Sequence, residues 1–184
     1  MQRQLTILVA SLALTACASA DEEAWPFNAT SIAQFEEPWA MTFMPDGRLL
    51  VTEKPGRLYV VTQDGDKSAP VAGVPDVDYG GQGGLGDVVL HPDFGNNSTI
   101  YLSYAESGDD KTRGAVVVRA RLEFDDTGGS LEDMQVIWRQ YPKVKGRGHY
   151  GHRIAFSEDG YLFISSGERQ KFDPAQDMPV SYTH

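Results

Sequence analysis

Short runs of β-branched and aromatic residues alternate with turn-forming residues along the chain from Pro38 onward. Each run is bounded by Gly, Pro, Asp or Asn, a pattern that is typical of β-strands separated by turns. No long stretch has apolar residues at positions i, i+3, i+4 and i+7, so the sequence does not predict amphipathic helices. We therefore predict an all-β fold with strands at residues 48–52, 57–61, 99–103, 115–119 and 161–165.

Two segments of the chain resemble each other and align without a gap. Residues 42–52 read TFMPDGRLLVT and residues 155–165 read AFSEDGYLFIS, so each predicts a strand, a tight Asp-Gly turn and a second strand. A third segment, residues 89–103, has two strands joined by a longer Asn-rich turn, and equivalent positions in the three segments are 47 and 66 residues apart. Repeats of about 40 to 50 residues with several strands each are typical of β-propellers. A β-sandwich with similar hairpins is the alternative.

The length of the chain limits how much of a propeller it can form. A closed propeller has about four to eight blades, and the organised part of this chain is long enough for about three repeats. We expect the chain to be the front part of a longer protein. The predicted organisation is a leader at residues 1–20, a polar tether at 21–36, a partial propeller domain at 37–178 and a short end at 179–184.

The amino-terminal segment has the composition of a secretory leader. Arg3 precedes an apolar run at residues 5–14, and small residues follow, as in a signal peptide. This run is about half as long as the roughly twenty apolar residues that a membrane-spanning helix needs. We therefore expect a periplasmic or secreted protein.

The single cysteine of the chain, Cys17, lies in the sequence LTAC, which resembles the lipobox of bacterial lipoproteins. Lipidation of Cys17 and plain cleavage after Ala20 are both open, and a lipid anchor would be the only contact with a membrane. Either form leaves the mature fold without a thiol for catalysis, a disulfide or metal binding.

The charge balance excludes one class of partner. The chain has 16 Lys and Arg residues against 26 Asp and Glu residues, a net charge of −10. Nucleic-acid binding draws its affinity from clustered Lys and Arg, so we expect no nucleic-acid partner. The 41% of hydrophobic residues is enough to build a folded core.

One loop with candidate chemistry is GGQGGLG at residues 80–86, which is too rich in glycine for a strand interior. Neither a Lys-Ser/Thr pair nor a helix follows, so it is not a phosphate-binding loop. Glycines let the backbone turn tightly or approach a ligand, and Gln82 is its one side chain with both a donor and an acceptor. The loop is either a plain turn or a ligand-binding loop around Gln82.

A second loop, GRGHYGHR at residues 146–153, immediately precedes a predicted strand. A histidine between glycines at a strand entrance can act as a general base near neutral pH, although isolated histidines more often make structural hydrogen bonds. His149 and His152 could also ligate a metal, but no third ligand at the usual spacing supports a metal site.

Glu168 follows the return strand of the hairpin that starts after this second loop. If residues 154–156 pair with residues 161–164, both ends of the hairpin lie at the same rim, and Glu168 can reach one imidazole nitrogen and orient the other. The alternative is that Glu168 and Arg169 form a solvated pair on the rim.

Taken in order, these motifs resemble those of the quinoprotein glucose/sorbosone dehydrogenases, the soluble aldose sugar dehydrogenases that depend on pyrroloquinoline quinone (PQQ). The resemblance runs from about residue 37 to residue 177. It rests on PWAMTF followed by DGR, GQGGL followed by HPDF, then HYGHR and finally GE. Residues 179–184 fall outside it.

This resemblance implies a six-bladed β-propeller of which the chain covers only about the first half, with PQQ on top near the axis and calcium as a second cofactor. It implies that hydride passes from C1 of the sugar to the quinone while His149 accepts the proton of the C1 hydroxyl. Glu168 matches an acidic residue that orients this histidine, and Gln82 matches a glutamine that faces sugar and cofactor. Further contacts with substrate or cofactor are expected from Gly83, Arg153 and Arg169.

Gly148 stands where some glucose-oxidising members of that family carry an aspartate. The implied substrate is therefore an aldose in general, and an external electron acceptor is the implied partner. A non-enzymatic secreted propeller that binds a protein or glycan is the alternative, and a lactonase is weaker because its metal-binding carboxylates and asparagines are not evident. The group formed by Gln82, His149 and Glu168 discriminates, since a binding module has no need of it.

Overall fold

The computed structural model describes residues 27–125 and 128–173. The predicted leader, Cys17, most of the predicted tether and the end from residue 174 onward lie outside the described residues. The chain divides into two compact units, residues 1–30 and residues 31–184. All of the described strands lie in the second unit.

The regular secondary structure in the described part of this unit is almost entirely β-strand, which confirms the predicted all-β class. Each of the five predicted strands coincides with an observed strand within a few residues or forms part of a longer one. One short helix and one 3-10 turn, Asp109–Lys111, interrupt the strands. In chain order the elements are β1 Pro38–Phe43, β2 Leu49–Glu53, β3 Arg57–Val61, β4 Leu85–Leu90, α1 Phe94–Asn97, β5 Thr99–Ser107, β6 Thr112–Asp125, β7 Gly128–Arg139, β8 Val144–Lys145, β9 Gly151–Phe156 and β10 Leu162–Ser166.

The strands form three antiparallel sheets that follow one another along the chain. The first has the order β1-β2-β3, the second β4-β5-β6-β7 with β8 paired to β6, and the third β9-β10. Within each sheet sequential strands are neighbours except for β8, and β4 to β7 form a four-stranded meander, the repeating unit of a propeller blade. The three sheets correspond to the three repeats that the sequence predicts.

The two similar hairpins adopt the same turn. Residues 44–47 and residues 157–160 each close with a backbone hydrogen bond from the glycine N–H to the first carbonyl, at 2.9 and 3.0 Å. Gly47 and Gly160 have φ values of 88° and 90°, a region that only glycine enters without steric cost. The glycine of each Asp-Gly pair therefore fixes the turn.

The first strand of each sheet contacts the first strand of the next sheet. β4 lies against β1 on one side and β9 on the other. Between β4 and β9 the link is polar: the buried carboxylate of Asp87 accepts hydrogen bonds from the Ile154 N–H at 2.9 Å and from Arg153 Nη1 at 3.1 Å. The loops that precede β4 and β9 consequently emerge at the same end of the molecule.

The main hydrophobic core lies between the first and second sheets. Leu50 and Leu58 from the first sheet pack with Leu85, Ile100 and Val116 from the second, and all five are fully buried. Aliphatic side chains of this size each contribute about 1.5–3 kcal/mol when they are removed from water. This core holds β4, the strand that follows the loop at residues 80–86, whereas Ile154 of β9 packs in a separate cluster with Tyr101 and Val117.

The folded unit begins earlier than the boundary predicted at residue 37. Phe35 packs against Tyr59 and the small cluster around Leu49, and the Glu36 N–H donates to Glu53 Oε1 at 2.7 Å. Residues 31–36 are therefore part of the first sheet's packing and not a free tether. No helix within residues 27–125 and 128–173 is long and apolar enough to cross a membrane.

Candidate active site

The loop before β4 presents Gln82 to solvent on a backbone that is fixed from below. Gly84 packs so closely on the turn after β2 that a Cβ atom there would lie 2.2 Å from the Lys54 carbonyl oxygen. The Leu85 N–H donates to that same oxygen at 2.9 Å, and Lys54 Nζ donates to the Gly81 carbonyl at 2.9 Å. The glycines therefore serve close packing, and Gln82 alone extends outward.

The loop before β9 reaches the Gln82 loop through two hydrogen bonds. The Gln82 N–H donates to the Arg147 carbonyl at 2.8 Å, and the His149 N–H donates to Gln82 Oε1 at 2.7 Å. His149 has φ +47°, a left-handed conformation that histidine tolerates better than most residues. Its side chain is half exposed.

Glu168 lies just beyond β10 and contacts the His149 ring. β9 pairs with β10 in the predicted register, with Phe156 opposite Leu162 and Ile154 opposite Ile164. One Glu168 carboxylate oxygen forms a short hydrogen bond with His149 Nδ1, and the other accepts the Lys171 and Phe172 N–H groups at 2.5 and 3.0 Å. The predicted contact between the acidic residue and a loop histidine is therefore present.

This hydrogen bonding determines how the pair can react. The hydrogen bond with His149, followed by the Phe172 N–H, holds the pKa of Glu168 below its ordinary value. A carboxylate only accepts hydrogen bonds, so Nδ1 of His149 carries the hydrogen and Nε2 has a free lone pair. The arrangement can therefore accept a proton at Nε2 and stabilise the resulting imidazolium.

A buried carboxylate that the sequence did not reveal joins the two loops from behind. Asp78 accepts hydrogen bonds from Arg113 Nε at 2.8 Å, Arg147 Nε at 3.1 Å and Ser107 Oγ at 2.6 Å. Burial raises the pKa of Asp78, but the Ser107 and Arg113 hydrogen bonds and the charges of Arg113 and Arg147 lower it below its ordinary value overall. The sequence signal was only an aspartate two residues before the glycine loop, 69 residues from Arg147.

Two of the other predicted contact residues depart from a ligand-facing position. Gly83 is buried, and a Cβ atom there would lie 2.8 Å from the Asp78 carbonyl and 3.2 Å from the Tyr150 ring. Arg169 is 2% exposed, because its guanidinium is taken up by backbone carbonyls. This finding also corrects the alternative of a solvated Glu168–Arg169 pair on the rim.

The third of these residues, Arg153, remains accessible. Its side chain is 69% exposed, pairs with Asp87, and places its guanidinium carbon 5.2 Å from the centre of the Trp39 ring. None of the contacts among the described residues joins it to Gln82, His149 or Glu168. Its role as a ligand contact stays a prediction.

His152 occupies a different environment from His149. It is 3% exposed, stacks on Tyr150 with ring centres 5.2 Å apart, and meets the edge of Trp39. Burial, followed by the Arg169 charge, lowers its pKa to about 4. Within the described ranges no three His, Cys, Asp or Glu residues form a group that could hold a metal ion, so a metal shared by His149 and His152 has no support.

Comparison with known proteins settles the family. The model of the glucose/sorbosone dehydrogenase family matches residues 35–182 of this chain, most of its length. The chain belongs to the glucose/sorbosone dehydrogenase family. The resemblance drawn from the sequence motifs is thereby confirmed.

Individual relatives carry the same assignment. The chain is 42% identical over 146 residues to the aldose sugar dehydrogenase YliI of Escherichia coli strain K12, covering 79% of this chain and 39% of that protein. The apo crystal structure of the soluble aldose sugar dehydrogenase from Escherichia coli matches with a TM-score of 0.75 at 43% identity, covering 79% of this chain and 42% of that chain.

A PQQ-bound structure from the same group also matches. This is the aldose sugar dehydrogenase of Streptomyces coelicolor, with a TM-score of 0.69 at 28% identity, covering 80% of this chain and 43% of that one. The chain spans about two-fifths of the length of the relatives named here. That proportion agrees with three sheets of a six-bladed glucose/sorbosone dehydrogenase propeller.

Proposed function

We propose that the protein carrying these residues is a PQQ-dependent aldose sugar dehydrogenase that oxidises the C1 hydroxyl of the sugar to the lactone. The observation that carries the proposal is the group of Gln82, His149 and Glu168, which three separate segments bring together at one rim. The family membership and the PQQ-bound relative support the same conclusion.

In this proposal His149 is the general base. Nε2 accepts the proton of the C1 hydroxyl as the C1 hydrogen leaves with its electron pair, and the C1–O bond becomes the carbonyl of the lactone. Glu168 holds Nδ1–H, which fixes the ring and stabilises the imidazolium that forms. PQQ, when bound, supplies the quinone that takes up the hydride.

Gln82 links the base to the ligand. Its Oε1 is occupied by the His149 N–H, while its amide nitrogen donates to none of the described residues. A free N–H donor beside a proton-accepting ring suits the hydroxyls of an aldose and the oxygens of an anionic quinone. Gln82, together with the exposed part of the Arg153 guanidinium, would contact the cofactor, so the residues present fit PQQ.

Calcium, the external electron acceptor and the periplasmic or secreted location are further parts of the proposal. They rest on the family resemblance and on the composition of residues 1–20. Because no group of acidic side chains among residues 27–125 and 128–173 fits a cation, no step of the reaction is assigned to calcium.

The proposal is tested by reconstituting the full-length protein. Apoprotein is mixed with PQQ and calcium, with either one alone, or with neither, and the reduction of a dye acceptor by aldoses is followed. We expect turnover only when PQQ is present and a higher rate with calcium. Equal dye reduction without PQQ would refute the assignment, and binding of a glycan with no turnover in any mixture would favour the non-enzymatic propeller.

A further inference from the structure

The guanidinium of Arg169 is buried and forms hydrogen bonds with the backbone of the loop that carries His149. Its Nε donates to the Gly148 carbonyl at 2.7 Å, its Nη2 to the Gly146 carbonyl at 2.7 Å and its Nη1 to the Arg113 carbonyl at 2.6 Å. The three acceptors are neutral, and no carboxylate of the described residues forms an ion pair with it. Burying a charge is costly unless the group is fully hydrogen-bonded, so this guanidinium depends on all three bonds.

The surroundings of Arg169 fix the guanidinium in one plane. Its carbon atom lies 3.6 Å from the centre of the Tyr150 ring, and Tyr150 is itself 1% exposed. The Arg169 N–H also donates to the His149 carbonyl at 3.3 Å. The residue thus contacts the loop from Gly146 to Tyr150 with its side chain and its backbone.

The loop is also held by Gln82 and Asp78, which form hydrogen bonds with the backbone of residues 147 and 149 and with the Arg147 side chain. These contacts do not involve the carbonyls of Gly146 and Gly148. Gly146 and Gly148 have no side chains, and His149 adopts φ +47° between Gly148 and Tyr150. Glu168 fixes the ring of His149, whereas Arg169, the next residue along the chain, fixes the carbonyls on the amino-terminal side of His149. Two adjacent residues therefore hold the ring and the backbone of the same histidine.

We propose that Arg169 is a positioning residue for His149, an inference that rests on the proposed role of His149 as the base. It does not touch the ligand; it sets where Nε2 lies relative to the sugar hydroxyl. A lysine cannot replace it, because a single ammonium group on a flexible stem cannot span three carbonyls that a rigid planar fork reaches together.

The test is a double-mutant cycle in the full-length protein. Arg169→Ala leaves a cavity, so the cycle uses Arg169→Lys, which keeps the charge and part of the stem over Tyr150. A misplacement of about 1 Å can cost about a hundredfold in rate, and we expect Arg169→Lys to lower kcat on that scale with KM unchanged. In the His149→Ala background the same change should cost nothing further, because there is no base left to misplace.

A second measurement needs no cofactor. The amide of His149 should lose protection against hydrogen exchange in Arg169→Lys, whereas the amides of Val116 and Val118 in the core should keep theirs. Leu58→Ala, a core substitution, is the control for general destabilisation. Its effect on kcat should be the same in the wild-type and His149→Ala backgrounds.

The outcomes separate the two proposals. Suppose that His149→Ala loses turnover but Arg169→Lys keeps it, or that Arg169→Lys lowers turnover by the same factor in the wild-type and His149→Ala backgrounds. Either result would show that the positioning role is wrong while the proposed base survives. If Arg169→Lys fails to fold, the residue serves the fold and the inference is overturned. If His149→Ala keeps normal turnover, the proposed function fails first, and loss of His149 amide protection then reports only on loop order.

Discussion

At the scale of single residues, the two histidines of one loop have opposite environments and opposite expected roles. General-base groups contribute about a hundred- to ten-thousandfold, so His149→Ala should lower kcat on that scale while PQQ binding persists. Glu168→Gln should cost less, because the base remains. The control is His152→Phe, which leaves the exposed ring of His149 unchanged and should keep near-normal turnover.

The same residues predict the direction of the pH profile. Because its pKa lies below the ordinary value, Glu168 stays an ionised acceptor for Nδ1–H in weakly acidic solution. A general base acts only in its unprotonated form, so turnover should fall toward acid pH, and this fall should be absent in the residual activity of His149→Ala. Steady-state rates over a pH series test this. If His152→Phe lost turnover while His149→Ala kept it, the assignment of the general base would be reversed.

His152 predicts an acid-sensitive stability. Its pKa of about 4 in the folded protein lies below the ordinary 6.5, so the unfolded chain binds the proton more tightly. Stability should be unaffected above pH 6.5, decline between pH 6.5 and about 4, and level off below, with a total loss of about 3 kcal/mol.

Neither ring nitrogen of His152 has a hydrogen-bond partner among the described residues. His152→Phe should therefore remove the acid-induced loss of stability that His152 causes, and should lower the stability little at neutral pH. Urea unfolding of both proteins at pH 7 and pH 4.5 measures the difference. An equal loss in wild type and variant would show that another group titrates.

At the scale of elements, the carboxylate of Asp78 joins the loop before β4 to β6 and to the loop before β9. Asp78→Asn leaves Arg113 and Arg147 without their shared counter-ion in a site where the carboxylate is 6% exposed. Because Arg147 is itself half exposed and screened, we expect a loss of about 2 kcal/mol, below the range for fully buried pairs. Turnover should fall as well, since the Arg147 carbonyl holds Gln82.

The matched control is Asp46→Asn, which removes the ion pair with Arg48 at the β1–β2 turn, where both side chains are substantially exposed. Pairs of this kind contribute about 0–1 kcal/mol. Thermal unfolding and dye reduction of the two variants give the comparison. Equal effects of the two substitutions would mean that the Asp78 cluster does not couple the loops.

At the scale of the whole molecule, the first and last described strands each lie at the edge of a sheet and expose apolar side chains. β1 pairs only with β2, and β10 only with β9, and Phe43 and Phe163 on these strands are 60% and 61% exposed. Unpaired apolar edges recruit further strands. The 184-residue chain expressed by itself should therefore self-associate as its concentration rises.

Phe163→Glu should reduce this association, whereas Phe172→Glu should not, because Phe172 is equally apolar and more exposed but lies outside the strands. Light scattering coupled to size-exclusion chromatography measures the effect over a concentration series. A monodisperse monomer with a sharp thermal transition would contradict the prediction.

The sequence by itself determined the five predicted strands and the two matched hairpins, but not β7 or β8. Those features are local, because β-branched runs and a glycine at one position of each turn, Gly47 and Gly160, specify them within about ten residues. It also predicted that Glu168 lies at the same rim as the loop histidine, since pairing of residues 154–156 with 161–164 brings both ends of that hairpin together, whereas the family resemblance was needed to add Gln82.

Only the tertiary structure decided what holds that rim together. Arginine is usually exposed, and nothing within its own segment shows that Arg169 is buried against carbonyls 21, 23 and 56 residues away. The same holds for Asp78, whose buried carboxylate pairs with Arg147, 69 residues away. The pattern of a strand's own residues indicates which face of the sheet each side chain lies on. The burial of a charged loop residue depends instead on which distant backbone groups lie around it, and only the assembled sheets determine that.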